Sequence, residues 1–246
     1  MFVNKILKVL LLLLGGLFVV LQAFAYEVEG AAISLLLLIL LTVLYWRSTE
    51  IKSTYFFWFL IASILGHLLG YSAYYGPQIS ESQIDFYYYG ANILFIISYL
   101  FLILRILRRL DFKKVCSELC VPIIILVVLD VFCVSIVSST TESILSVQEN
   151  ILEYVYNAVV MTLLSVALIN YMYRNDNKSM LFLIASICIV FSEIIQLAYY
   201  YILLEDNNLG FIYSLLLIVA FIFFYLQSQL DFTGPEPEYT DEPLEV

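Results

Sequence analysis

Long apolar runs alternate with short polar ones along most of this chain. Eight runs of about twenty residues stand out, at approximately 6–25, 28–46, 54–75, 85–107, 115–137, 150–173, 179–203 and 208–229. Each, wound as a helix, is long enough to cross a bilayer core of roughly 30 Å. The pattern predicts an all-α polytopic membrane protein with eight transmembrane helices over residues 1–230. The last stretch, 231–246, carries Pro235, Pro237 and Pro243 among six acids. It has too little apolar surface to fold and reads as a disordered tail.

The polar positions between the runs set the orientation. All eleven Lys and Arg fall in alternate connections: Lys5 and Lys8, Arg47 and Lys52, Arg105 to Lys114, and Arg174 with Lys178. The intervening connections hold Glu27 and Glu29, Glu81, Glu142 and Glu149, then Glu205 and Asp206, with no basic residue. Basic connections stay in the cytoplasm. Both termini, tail included, are therefore expected in the cytoplasm, and the setting is expected to be a cell membrane, most simply a bacterial inner one. Lys5, Lys8 and the following Ala23-Phe24-Ala25 also resemble a secretory signal with its cleavage site. Cleavage would leave seven crossings in the same orientation; retention is favoured because eight segments divide into two matching halves.

Composition agrees. The chain is 63% hydrophobic and 13% charged, about half the charge of a soluble domain. The net charge of −10 is concentrated in the tail and the basic-free connections, and no basic patch offers a surface for nucleic acid. Cys116, Cys120, Cys133 and Cys188 lie within or at the ends of apolar runs, so no extracellular disulfide framework is expected. Cys116 and Cys120, four apart, are expected on one helix face in a structural role. Nothing calls for a metal or a cofactor.

The two halves, 1–107 and 115–230, share a phrase. Phe59-Leu60-Ile61-Ala62-Ser63 in the third run recurs as Phe182-Leu183-Ile184-Ala185-Ser186 in the seventh, 123 residues later. Both copies begin helices of the same direction, and both helices end in tyrosines: Tyr71, Tyr74 and Tyr75 in one, Tyr199, Tyr200 and Tyr201 in the other. Four crossings per unit would make the copies parallel repeats.

Polar side chains inside hydrocarbon are costly and usually face a protein interior or a water-filled space. His67, Asp130 and Glu193 each lie some fourteen residues into their runs, roughly 20 Å from the cytoplasmic edge at 1.5 Å per residue. Asn92 and Asn157, on helices of opposite direction, reach a similar level. Ser63, His67, Tyr71 and Tyr74 share a helix face by their spacing of four, four and three, as do Glu193, Gln196 and Tyr200, and Glu153 with Asn157. The stripe Ala62, Gly66, Gly70 is expected to admit a neighbouring helix backbone beside His67. These depths predict a polar pocket in the outer half of the bilayer. A His67–Glu193 pair in it would serve as acid and base toward a bound molecule. No nucleophile elbow, phosphate loop or metal-binding helix pair is present.

Several of these residues also resemble a known pattern. Ser63-Ile64-Leu65-Gly66-His67 stands where the YhhN family of lysoplasmalogenase-like membrane proteins carries Ser-x-x-Gly-Asp on its third helix. Gly90 is followed by Ser98 where that family has Gly and then a His eight residues on. Tyr156 and Met161 resemble the Tyr and Met of its sixth helix, and Phe191-Ser192-Glu193 is nearest to its Phe-x-x-Ser-Asp, with altered spacing. The resemblance spans most of residues 30–229. It implies an eight-helix fold and hydrolysis of the vinyl-ether bond of a lysophospholipid, releasing an aldehyde and a glycerophospho-base. Glu193 would then be the general acid or base with His67 its partner. Asn92, Asn157 and Gln196 would orient the head group, and Ser98, Asp130 and Tyr71 would complete the substrate-binding set. Glu193 keeps an acid where the family has Asp; His67 does not keep the negative charge. Two other readings use the same pocket without turnover: a lipid or small-molecule binding protein or sensor, and a transporter. The last lacks the centrally broken helices that usually mark a coupling site.

Overall fold

The computed structural model describes residues 2–77, 84–203 and 206–230. Glu81, Glu205 and the tail 231–246 lie outside the described residues. Within them the chain forms helices α1 (Phe2–Ala23), α2 (Glu27–Ser48), α3 (Thr54–Ala73), α4 (Phe86–Leu107), α5 (Phe112–Glu118), α6 (Cys120–Ser139), α7 (Val147–Arg174), α8 (Asn177–Tyr201) and α9 (Asn207–Ser228). All but α5 are long and apolar enough to span a membrane.

Short polar residues start these helices by occupying N–H groups that have no partner within the helix. The Asp85 carboxylate accepts from the backbone of Tyr87 and Tyr88 at the head of α4, and Asp206 does the same for Asn208 and Leu209 at the head of α9. Ser146 and Glu149 form a reciprocal capping box on α7, as do Asp176 and Ser179 on α8. Asn175 ends α7 in the left-handed region at φ 49°, a conformation asparagine tolerates better than most residues.

The fifth run departs from expectation. Instead of one helix over 115–137, the chain forms α5, breaks at Leu119 (φ −115°, ψ 23°), and restarts as α6. Pro122 explains the break: it has no N–H to give, and its ring would clash with the carbonyl of residue 118 in a continuous helix. In the first turn of a new helix neither cost arises. Cys116 and Cys120 therefore sit on different helices rather than on one face; both are exposed free thiols.

Seven helices close a ring. Chain neighbours pack together from α1 through α4 and from α7 through α9; α4 meets α7, and α1 meets α9. α6 stands outside, packed on α7 and lightly on α5. Its outward side chains, Val128, Val131 and Phe132 among them, are more than half exposed and would face lipid in a membrane. The expected halves therefore differ in their first helix: α1 sits in the ring between α2 and α9, whereas α6 is peripheral. The shared phrase nonetheless occupies equivalent surroundings. Ser63 and Ser186 each donate to the carbonyl four residues back, at 2.8 and 2.9 Å. Phe59 and Phe182, both buried, converge edge-on upon Phe224, at 5.6 and 5.2 Å between ring centres.

The helix directions bring Lys5, Lys8, Arg47, Lys52, Arg105, Arg108, Arg109, Lys113, Lys114, Arg174 and Lys178 to one end of the bundle. Several are anchored there. Arg105 is buried 5.0 Å over the Phe56 ring and, with the Gln227 amide oxygen turned toward it, donates to that oxygen. Arg174 donates to the Arg109 carbonyl and Lys178 to that of Leu230.

Candidate functional site

The ring encloses a cavity of about 330 Å³ near the opposite end. Every ring helix contributes to its wall, and the contributions follow helical spacing. α2 gives Glu27, Ala31 and Ser34; α3 gives Ser63, Gly66, His67, Gly70 and Tyr71, with Tyr74 just beyond it. α4 gives Tyr88, Asn92, Phe95 and Tyr99; α7 gives Glu153, Tyr156 and Asn157. α8 gives Glu193, Gln196, Leu197, Tyr200 and Tyr201. Phe18 and Gln22 of α1 and Tyr213, Leu217 and Phe221 of α9 complete it. Steps of three and four repeat on each element because only one helix face can turn inward.

His67 and Glu193 thus share one cavity, but each has its own partner. The His67 Nδ1 lies 3.2 Å from the Ser34 hydroxyl of α2, and its ring stands edge-on to Phe95 at 5.1 Å. The Tyr99 hydroxyl of α4 donates to Glu193 across the ring. Tyr156 sits beside the same carboxylate, its ring 6.1 Å from that of Tyr99 and nearly perpendicular to it, at 79°. A buried acid is tolerable only with such donors, since an unpartnered carboxylate in low dielectric is heavily penalised. Glu153 is treated similarly: the Asn157 amide donates to it at 3.0 Å and to Ser138 at 3.3 Å.

Six of the residues expected at the site line the cavity: His67, Glu193, Asn92, Asn157, Gln196 and Tyr71. Asn92 also donates to the Tyr88 carbonyl, and the Tyr71 hydroxyl pairs with that of Tyr75. Two do not line it. Ser98 is fully buried and returns its hydroxyl to the Phe95 carbonyl within its own helix. Asp130 lies at the α6–α7 contact, where the Ser165 hydroxyl donates to it at 2.9 Å. Its depth matches the others, but its helix is outside the ring. The small-residue stripe also works differently from expectation. A side chain on Gly66 would strike the Phe95 ring at 2.8 Å, whereas Gly70 has open space before it. The stripe receives an aromatic ring and leaves room in the cavity, rather than admitting a helix backbone.

Tyr99, Tyr88, Tyr201, Ser34, Gln22 and Glu27 also line the cavity, and the sequence alone does not mark them for the site. Tyr88, Asn92, Phe95 and Tyr99 repeat at four, three and four, steps that keep to one helix face as those on α3 do, and that spacing is the signal for the two tyrosines of α4.

A second cavity, of about 730 Å³, lies between α1, α2 and α9. Its wall is almost wholly apolar: Leu11, Leu12, Gly15, Gly16, Val19, Leu37, Leu38, Leu41, Leu44, Leu215, Ile218 and Ile222 among others. It runs toward the basic end, where Lys8 and Tyr225 also line it. Phe18, Ser34, His67, Leu217 and Phe221 line both cavities. The His67–Ser34 contact therefore stands at the boundary between a polar chamber and an apolar one.

No family model, curated protein or solved structure matches this chain. The resemblance to the YhhN family rests on the residues quoted for it. Of those, Ser63, Gly66, His67, Tyr156 and Glu193 line the cavity, and Ser98 does not.

Proposed function

We propose that this is an integral protein of the cell membrane, with both termini in the cytoplasm, that takes up a small amphiphile. The polar end occupies the chamber around Glu193, and the chain lies along α1, α2 and α9. The single observation that carries this reading is the shared wall: five residues belong to both a polar and an apolar cavity. The two volumes, about 330 and 730 Å³, fall within the range of sites for small molecules. The orientation follows from the basic clusters at the other end of the bundle, which keep that end in the cytoplasm, so the polar chamber lies in the outer half of the bilayer.

The test is retention of native ligand. Protein extracted from its membrane and analysed by mass spectrometry should carry a single-chain amphiphile at near one-to-one ratio. Gly16→Phe should lose it. Gly16 lines only the apolar cavity, and a Cβ placed there meets no atom within 4 Å, so a bulky side chain is added on the wall of the chain site. Equal retention by both proteins would contradict the reading.

A second reading, hydrolysis, is favoured by the state of Glu193. An acid held by Tyr99 beside open space is placed to exchange a proton with a bound group. The resemblance to the YhhN family would make the substrate a vinyl-ether lysophospholipid and the product an aldehyde. In this reading Glu193→Gln abolishes aldehyde release from lysoplasmalogen, whereas undiminished release would remove Glu193 from the chemistry.

A further inference from the structure

We infer that the polar chamber is built for an organic ammonium group. This rests on the amphiphile reading above and specifies its polar end. The wall carries eight tyrosines, three glutamates and no lysine or arginine. A side-chain set of that kind is selective by sign. Carboxylates supply the opposite charge, and aromatic rings attract a cation through the negative face of their π-systems, most strongly where water is excluded. An alkylated ammonium suits the chamber better than a metal ion does, because its charge is spread over methyl or methylene groups that pack against rings.

The geometry has the parts of such a cage. Tyr99 and Tyr156 stand at 79° to each other, 6.1 Å apart, as two walls of a corner. Glu193 sits at that corner, oriented by the Tyr99 hydroxyl. Glu153, one helix away from Glu193 and also on the wall, is held by Asn157. Both carboxylates receive hydrogen bonds from O–H or N–H donors, which fix their positions on the wall. At the far rim Glu27 accepts from the Tyr74 hydroxyl at 3.3 Å, placing a third acid where a cation would enter. His67 is the one imidazole on the wall, and it is turned to Ser34 at the boundary with the apolar chamber. A phosphate, by contrast, would meet three acids and no Lys or Arg partner. The ligand is therefore an ammonium whose other end is aliphatic, or an ammonium alone.

Matched probes separate charge from shape. Purified full-length protein would be titrated with tetramethylammonium, and with a twelve-carbon chain ending in trimethylammonium. Each would be compared with its uncharged analogue, in which carbon replaces nitrogen. The ammonium form of at least one pair should bind about tenfold more tightly than its uncharged twin. In Glu153→Gln, whose amide oxygen still accepts from Asn157, that ratio should fall toward one. If the preference is seen only with the chain attached, the source is a lipid-like amphiphile; if the chainless ion shows it equally, the source is a free ammonium. Equal binding of the charged and uncharged members of both pairs, with the twelve-carbon probes bound, would overturn the ammonium inference and leave the amphiphile reading standing. Failure of every probe to bind would overturn both.

Discussion

Single residues govern how closely α1 and α9 meet, and hence whether the ring closes. A methyl added at Gly210 would lie 2.4 Å from the backbone oxygen of Gln22. Backbone at a helix end cannot yield as a flexible side chain would. Gln22 is also held by Tyr213, whose hydroxyl donates to it at 2.6 Å, and it lines the polar cavity. Gly210→Ala should therefore cost about 1–3 kcal/mol, read as a fall in the thermal unfolding midpoint in detergent, whereas Gly70→Ala, with open space before it, should leave the midpoint unchanged. Ala25, in the α1–α2 turn, sits at φ 56°, a region that costs a residue with a Cβ about 1 kcal/mol. Ala25→Gly should raise the midpoint. At this scale the sequence was informative about identity and depth but not about direction. Glu193 and Asp130 look alike by spacing, yet one meets Tyr99 inside the ring and the other Ser165 beside it. Which of the two faces a cavity depends on where the whole helix stands.

Elements were the most legible scale, because apolar run length and flanking polar residues carry helix existence and ends almost independently of packing. Predicted and observed spans agree within a few residues for most helices. The exceptions have local causes. Pro122 splits the fifth run into α5 and α6, and the Ser146–Glu149 capping box starts α7 three residues early. That box has a measurable value. Ser146→Ala should destabilise the protein by about 1 kcal/mol, seen as faster amide exchange over the first turn of α7. If exchange there is unchanged, the cap does not hold the start of α7. Periodicity also showed inward faces correctly where a helix belongs to the ring, as with Ser63, His67 and Tyr71 on α3. It could not place α6, whose sequence is apolar all round and whose one acid has a partner on α7.

At the scale of the molecule, the decisive feature is the asymmetry between the two halves. If α6 packed as α1 does, the bundle would have two equivalent seams. Instead α1 enters the ring and lines the large apolar cavity, while α6 stays outside. The join between that cavity and the polar chamber at His67 and Ser34 is what turns eight membrane helices into a candidate binding protein. Residue depth in the sequence pointed to the polar chamber; nothing in the sequence pointed to the apolar one, since its leucines are indistinguishable from lipid-facing leucines until the helices are packed. The most direct test is photo-crosslinking in membranes with a single-chain amphiphile carrying a diazirine at the end of its chain, followed by peptide mapping. Adducts on Leu37, Leu38, Ile218 or Ile222, lost in Gly16→Phe, are the predicted result. Labelling confined to the outward side chains of α6, such as Val128, Val131 and Phe132, and unaffected by Gly16→Phe, would contradict the account.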